Sequence, residues 1–147
     1  MNIMNIQLKW ACRIENIGSG FYDSLSTRYK KEDRLSKILG VFSRDELRHG
    51  AMFRKGYLDE CGKKLMVKPW VFFGKTLAFS QYLLPLKWKL RILSILESFA
   101  VTLMAKELRS GKTNRYRQIL EKIKSDEERH AAFYHSLYCH DSKVAMD

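Results

Sequence analysis

Two Glu-x-x-His motifs constrain this chain more than any other feature: Glu46-Leu47-Arg48-His49 and Glu127-Glu128-Arg129-His130. On a helix, residues three apart share a face, so each pair can grip one metal ion. A lone glutamate precedes each motif by 30 or 31 residues: Glu15 before Glu46, and Glu97 before Glu127. Each lone glutamate stands in an apolar stretch, Ile14-Glu15 and Leu96-Glu97. The pattern is an internal repeat in function, if not clearly in sequence.

The spacing has a physical meaning. The midpoint of Glu97 and Glu127 is position 112, within Gly111-Lys112-Thr113-Asn114, a turn by composition. The midpoint of Glu15 and Glu46 falls at Lys30 and Lys31. Residues equidistant from the turn of an antiparallel hairpin sit at one height. At ~1.5 Å rise per residue, each glutamate lies roughly 20 Å from its turn. Two such hairpins bring four carboxylates and two imidazoles to one level. Four buried carboxylates without cations are costly, and two divalent ions neutralise them. Carboxylate oxygen with imidazole nitrogen favours iron, with manganese also open, over soft-metal sites.

The pattern along the chain is helical. A first helix is expected from about Ile6 to Arg28, with Leu8, Ala11, Glu15, Gly18, Tyr22 and Leu25 on one face. A second is expected from about Glu32 to Cys61, where Gly62 stops it. A third is expected from about Pro85 to Ser110 and a fourth from about Asn114 to Tyr138. The long connection from Gly62 to Leu84 should hold a short apolar helix over Pro69–Leu83. The expected fold is all-α: one domain over residues 1–147, a four-helix bundle of two antiparallel hairpins with a long crossover.

Composition narrows the partners. Hydrophobic residues make up 46% and charged residues 29%, which argues against disorder. The formal net charge is +11, suited to phosphates, anionic headgroups or acidic proteins. The basic residues are spread along the helices with no basic tail, so nucleic acid is not the expected partner. Cys12, Cys61 and Cys139 are odd in number and far apart, which reads as reduced thiols in a cytoplasmic protein. The N-terminus lacks the pattern of a secretory signal. Val67–Leu86 is interrupted by Lys68, Pro69, Lys75 and Pro85, so it is a poor spanning helix. It suits the core or a peripheral position on the inner face of a membrane.

The order Glu, Glu-x-x-His, Glu, Glu-x-x-His resembles the di-iron carboxylate branch of the ferritin-like superfamily, from Glu15 to His130. That resemblance implies Glu15, Glu46, His49, Glu97, Glu127 and His130 as ligands of two iron ions, with Glu46 and Glu127 bridging. Both motifs extend to Asp-Glu-x-Arg-His, over Asp45–His49 and Asp126–His130. The longer form resembles oxygen-activating members such as acyl-carrier desaturases and multicomponent hydroxylases, where the acid and arginine orient the ligands. In size the chain resembles rubrerythrins. It departs from them in having no Cys-x-x-Cys pair, and Ser94 stands where they carry an extra glutamate.

Tyr22 and Tyr134 each follow a ligand glutamate by seven residues and share its face. Each is a candidate to hydrogen-bond a carboxylate or to act as a redox phenol, or else is a core tyrosine. His135 and His140 do not share the face of His130. Met4, Met52, Met66 and Met104 read as packing residues, and Trp10, Trp70 and Trp88 as core or interface residues.

Three functions follow. The first is a di-iron oxidase or oxygenase that hydroxylates or desaturates an apolar small-molecule substrate and draws on an external electron donor. The second is a rubrerythrin-like peroxidase or a ferroxidase. The third is a non-catalytic basic module. A homodimer is compatible with each.

Overall fold

The computed structural model describes residues 3–31, 33–80, 84–109 and 114–144, with the side chains of 80, 86, 87 and 138–144 left aside. The chain is all-α. Its helices are α1 (Ile3–Arg28), α2 (Asp33–Cys61), α3 (Lys68–Ser80), α4 (Leu86–Arg109) and α5 (Arg115–Val144), with no strand among the described residues. The expected turn at Gly111–Thr113, the end of the crossover helix at Leu83, and the side chains of Cys139 and His140 lie outside the described residues.

Local chemistry explains the boundaries. Gly62 adopts φ +65° and donates its N–H to the carbonyl of Leu58 at 2.8 Å, the left-handed stop expected of glycine. Pro69 is tolerated because it lies in the first turn of α3, where the N–H has no intrahelical acceptor. Asn114 caps α5 by accepting the N–H of Arg117 on Oδ1 at 2.8 Å. α5 runs past the expected end at Tyr138 to Val144.

The chain forms two compact units. The first comprises Met1–Tyr82 with Asn114–Ile119; the second comprises Leu83–Thr113 with Leu120–Asp147. In the first unit α1 packs against α2 and against α3. The α1–α2 seam is built from small residues. Ser26 and Ser36 each donate a hydroxyl to the other's carbonyl at 2.9 Å, and Ser43 Oγ donates to the carbonyl of Ser19 at 3.0 Å. Both pairs are centred on residue 31, so the hairpin turns where the glutamate spacing placed it. Each short side chain lets the backbones approach while its hydroxyl finds an acceptor. Leu8, Leu25, Leu39 and Phe42 are buried, and Tyr22 meets Phe21 and Phe42 edge-on at 6.2 and 5.9 Å. The start of α5 closes on the end of α2: Phe53 packs on Tyr116 at 5.7 Å, and Arg115 pairs with Asp59 at 3.2 Å.

The α1–α3 crossing is closer still. A Cβ on Gly20 would stand 2.0 Å from the carbonyl oxygen of Val71, and one on Gly74 would stand 2.0 Å from that of Ile17. Only glycine permits this reciprocal backbone contact.

In the second unit Leu93, Met104, Leu120, Ile123 and Tyr134 are buried. Two expectations need correction. Ile14 and Leu96 are 62% and 58% exposed, so the residue before each lone glutamate faces outward rather than sharing its buried stripe. Met66, read as a packing residue, is exposed, while Trp10 and Trp88 lie at the surface rather than in the core. Neighbours one apart on a helix diverge by about 100°, so an apolar neighbour does not place a glutamate on the inner face.

Candidate metal centre

Glu46 and His49 lie one turn apart on α2 and are both buried, His49 completely. Glu15 projects from α1 with a side chain only 14% exposed, and its Oε2 lies 3.5 Å from Nδ1 of His49. Each of Glu15, Glu46 and His49 offers a ligand atom within 4.8 Å of the others'. The first unit thus brings together its three sequence-predicted ligands. In the second unit Glu97 on α4 and His130 on α5 also offer ligand atoms within 4.8 Å of one another. Glu127, three residues before His130, is buried as well.

The neighbours of the first triplet are shaped around it. A Cβ on Gly18 would stand 2.8 Å from Oε2 of Glu46, so the missing methyl is the space that the carboxylate fills. A Cβ on Gly50 would stand 2.5 Å from Nδ2 of Asn16, so that glycine admits a buried amide beside Glu15. Asn16 Nδ2 donates to the Cys12 carbonyl at 2.6 Å and lies 3.7 Å from the Cys12 sulfur. Burial pushes the Cys12 thiol above its ordinary range; Arg54 and Arg13 oppose this and Glu15 adds to it.

The two motifs share a second feature. Arg48 pairs with Asp45 at 3.2 Å and Arg129 with Asp126 at 3.0 Å. In both pairs the arginine side chain is about half exposed, at 56% and 52%, while the aspartate is nearly covered, at 15% and 13%. A covered acid held by an outward arginine suits the orienting role implied by the resemblance.

Tyr22 and Tyr134 are buried, each against a phenylalanine: Tyr22 beside Phe21 and Phe42, Tyr134 edge-on to Phe133 at 5.3 Å. His135 is exposed, consistent with its place off the ligand face. Asn16, Gly18 and Gly50 were not singled out for a role by sequence reasoning. Glycine within a helical pattern is the signal that could have flagged two of them. Nothing in the sequence marks Asn16.

The donor set fits an iron-type ion. Oε2 of Glu15 and Nδ1 of His49 are buried and make no hydrogen bond to each other. Ligand bonds of about 2.0–2.2 Å place two ligand atoms of one ion roughly 3–4 Å apart, which accommodates their 3.5 Å separation. Oxygen and imidazole donors without a thiolate match iron or manganese.

No curated protein and no solved structure matches the chain. The family model described as Rubrerythrin matches residues 7–138, and the chain belongs to that family.

Proposed function

We propose that Glu15, Glu46, His49, Glu97, Glu127 and His130 hold one pair of iron ions within a ferritin-like four-helix bundle, and that the protein is an oxidoreductase acting on oxygen or peroxide. Rubrerythrin-family members are typically di-iron oxidoreductases. The observation that carries the reading is the Glu15–Glu46–His49 triplet, with Glu46 and His49 buried and Glu15 partly so, whose ligand atoms converge within 4.8 Å. Iron bound there would supply the redox chemistry. The chain's own part is to neutralise and enclose it. The carboxylates balance the cations. Gly18 leaves the room in which Glu46 sits, and Asp45 and Asp126 steady their motifs. Tyr22 and Tyr134 are candidates to hydrogen-bond a ligand carboxylate or to serve as redox phenols. The proposed electron source is an external donor.

Metal analysis after ferrous loading, followed by optical titration with oxygen and with peroxide, tests the reading. Two irons per chain and faster oxidation by peroxide support a peroxidase. Faster oxidation by oxygen supports an oxidase or oxygenase of an apolar substrate. Turnover of added ferrous iron marks a ferroxidase. Two bound manganese ions would change the metal. A folded chain that binds no metal would sink the proposal and leave a non-catalytic basic module.

A further inference from the structure

α3 is built inside out. Its small residues, Gly74 and Ala78, are buried, and Gly74 lies in backbone contact with Ile17 of α1. Its bulky residues face away: Phe72 is 72% exposed, Phe73 52% and Phe79 75%. A helix that only filled a core would do the reverse, because large side chains gain most from burial. Met66, just before α3, is likewise exposed. The apolar bulk of this segment therefore serves something outside the fold.

The charge around it is positive. Lys63, Lys64, Lys68 and Lys75 are exposed along the same segment, and Lys75 is tied to Asp23 of α1 at 2.6 Å. Beside the start of α3, the Arg13 guanidinium lies over both the Trp10 and the Trp70 rings, at 4.9 and 4.6 Å. That stack joins the exposed Trp10 of α1 to the α3 surface. Tryptophan with lysine and arginine around an apolar centre is the composition of a membrane interface. α3 has 13 residues, too few to span a bilayer, and among the described residues no helix is long and apolar enough to cross one.

We propose that α3 is a docking surface for an anionic lipid bilayer. The helix lies in the interfacial plane with Phe72, Phe73 and Phe79 in the acyl boundary, and the lysines meet acidic headgroups. The lock on α1 makes the surface preformed, so docking costs little ordering. A neutral apolar partner would leave Lys63, Lys64 and Lys68 facing no opposite charge, which is why charge selects anionic lipid over a second copy of this basic chain.

The test is co-sedimentation of the full chain with vesicles of phosphatidylcholine alone and with phosphatidylglycerol added. Binding should require the anionic lipid and weaken between 0.1 and 0.5 M salt, a window that screens headgroup charge (about 10 to 4 Å Debye length). The double variant Phe72→Ser/Phe79→Ser should lose on the order of tenfold or more in partitioning. Phe99→Ser, at an exposed apolar position on α4, should bind as the wild type does. Circular dichroism confirms that the exposed substitutions leave helicity intact. Retained binding in the Phe72/Phe79 variant, loss in Phe99→Ser, or concentration-dependent dimerisation through α3 without vesicle binding would each overturn the proposal. Vesicle binding needs no metal, so its failure leaves the iron reading standing, and the reverse holds too.

Discussion

The two units carry the same Glu, Glu-x-x-His pattern with different residues around it. Counting from each lone glutamate, Gly18 of the first hairpin corresponds to Ala100 of the second, Asn16 to Ser98, and Cys12 to Ser94. Counting from each histidine, Gly50 corresponds to Ala131. The first unit therefore removes methyl groups where the second keeps them. The candidate ligand types repeat; the space around them is set by helix approach and does not. At Gly20 and Gly74 the first unit rests on backbone contacts that leave no room for an added atom.

The largest effect should come from adding one. Gly20→Ala and Gly74→Ala each put a methyl carbon 2.0 Å from a backbone oxygen, and no rotamer relieves that overlap. Neither glycine has positive φ, so the cost is steric rather than conformational. Alanine's better helix propensity returns only about 1 kcal/mol. Overpacking of this severity should cost about 3 kcal/mol or more, read as a lower urea midpoint. In the second unit Ala100→Gly should cost only about 1 kcal/mol. Equal losses in the two units would break the comparison.

Gly18 sharpens it. Gly18→Ala places a methyl carbon 2.8 Å from a flexible carboxylate oxygen, so Glu46 can swing away without unfolding the helix. Stability of the metal-free chain should hold or rise slightly, from the propensity gain. Iron affinity should fall by roughly tenfold to a hundredfold, the usual scale for disturbing a ligand's support. Ala100→Gly should leave iron affinity near wild type. The readouts are iron titration alongside thermal unfolding of the metal-free protein. Gly18→Ala that loads iron normally would show that the space beside Glu46 has no bearing on the site.

This difference between the two units also marks what the sequence makes legible. Spacing about a turn is a one-dimensional property. The Glu15–Glu46 midpoint located the first turn, and the serine pairs 19/43 and 26/36 are centred there. Motif spacing of three identified Glu46 with His49 and Glu127 with His130, because helix geometry alone puts such pairs on one face. What escaped depends on the facing helix. Gly20 and Gly74 become meaningful only once α1 and α3 cross, and Asn16 only once Gly50 opens room for it. The outward turn of Ile14 and Leu96 is hidden for the opposite reason: residues adjacent along the chain do not share a helix face.

The smallest difference is electrical. Cys12 has Ser94 as its counterpart, so a thiol stands beside the first lone glutamate and a hydroxyl at the matching place before the second. Burial holds the folded Cys12 thiol above its ordinary value of 9.0, to which it returns in the unfolded chain. Above that value the unfolded chain sheds the proton first and binds fewer protons than the folded one. Stability must therefore be intact below the unfolded value and fall as pH rises from it towards the folded value. Cys12→Ala removes this contribution while leaving Cys61 and Cys139 in place. Denaturant unfolding at several pH values between 7 and 10 should show a shallower alkaline decline in the variant than in the wild type. Parallel declines would mean that the Cys12 sulfur meets solvent as readily in the folded chain as in the unfolded one, and that the α1–α2 seam is looser at Asn16 and Gly50 than their contact implies.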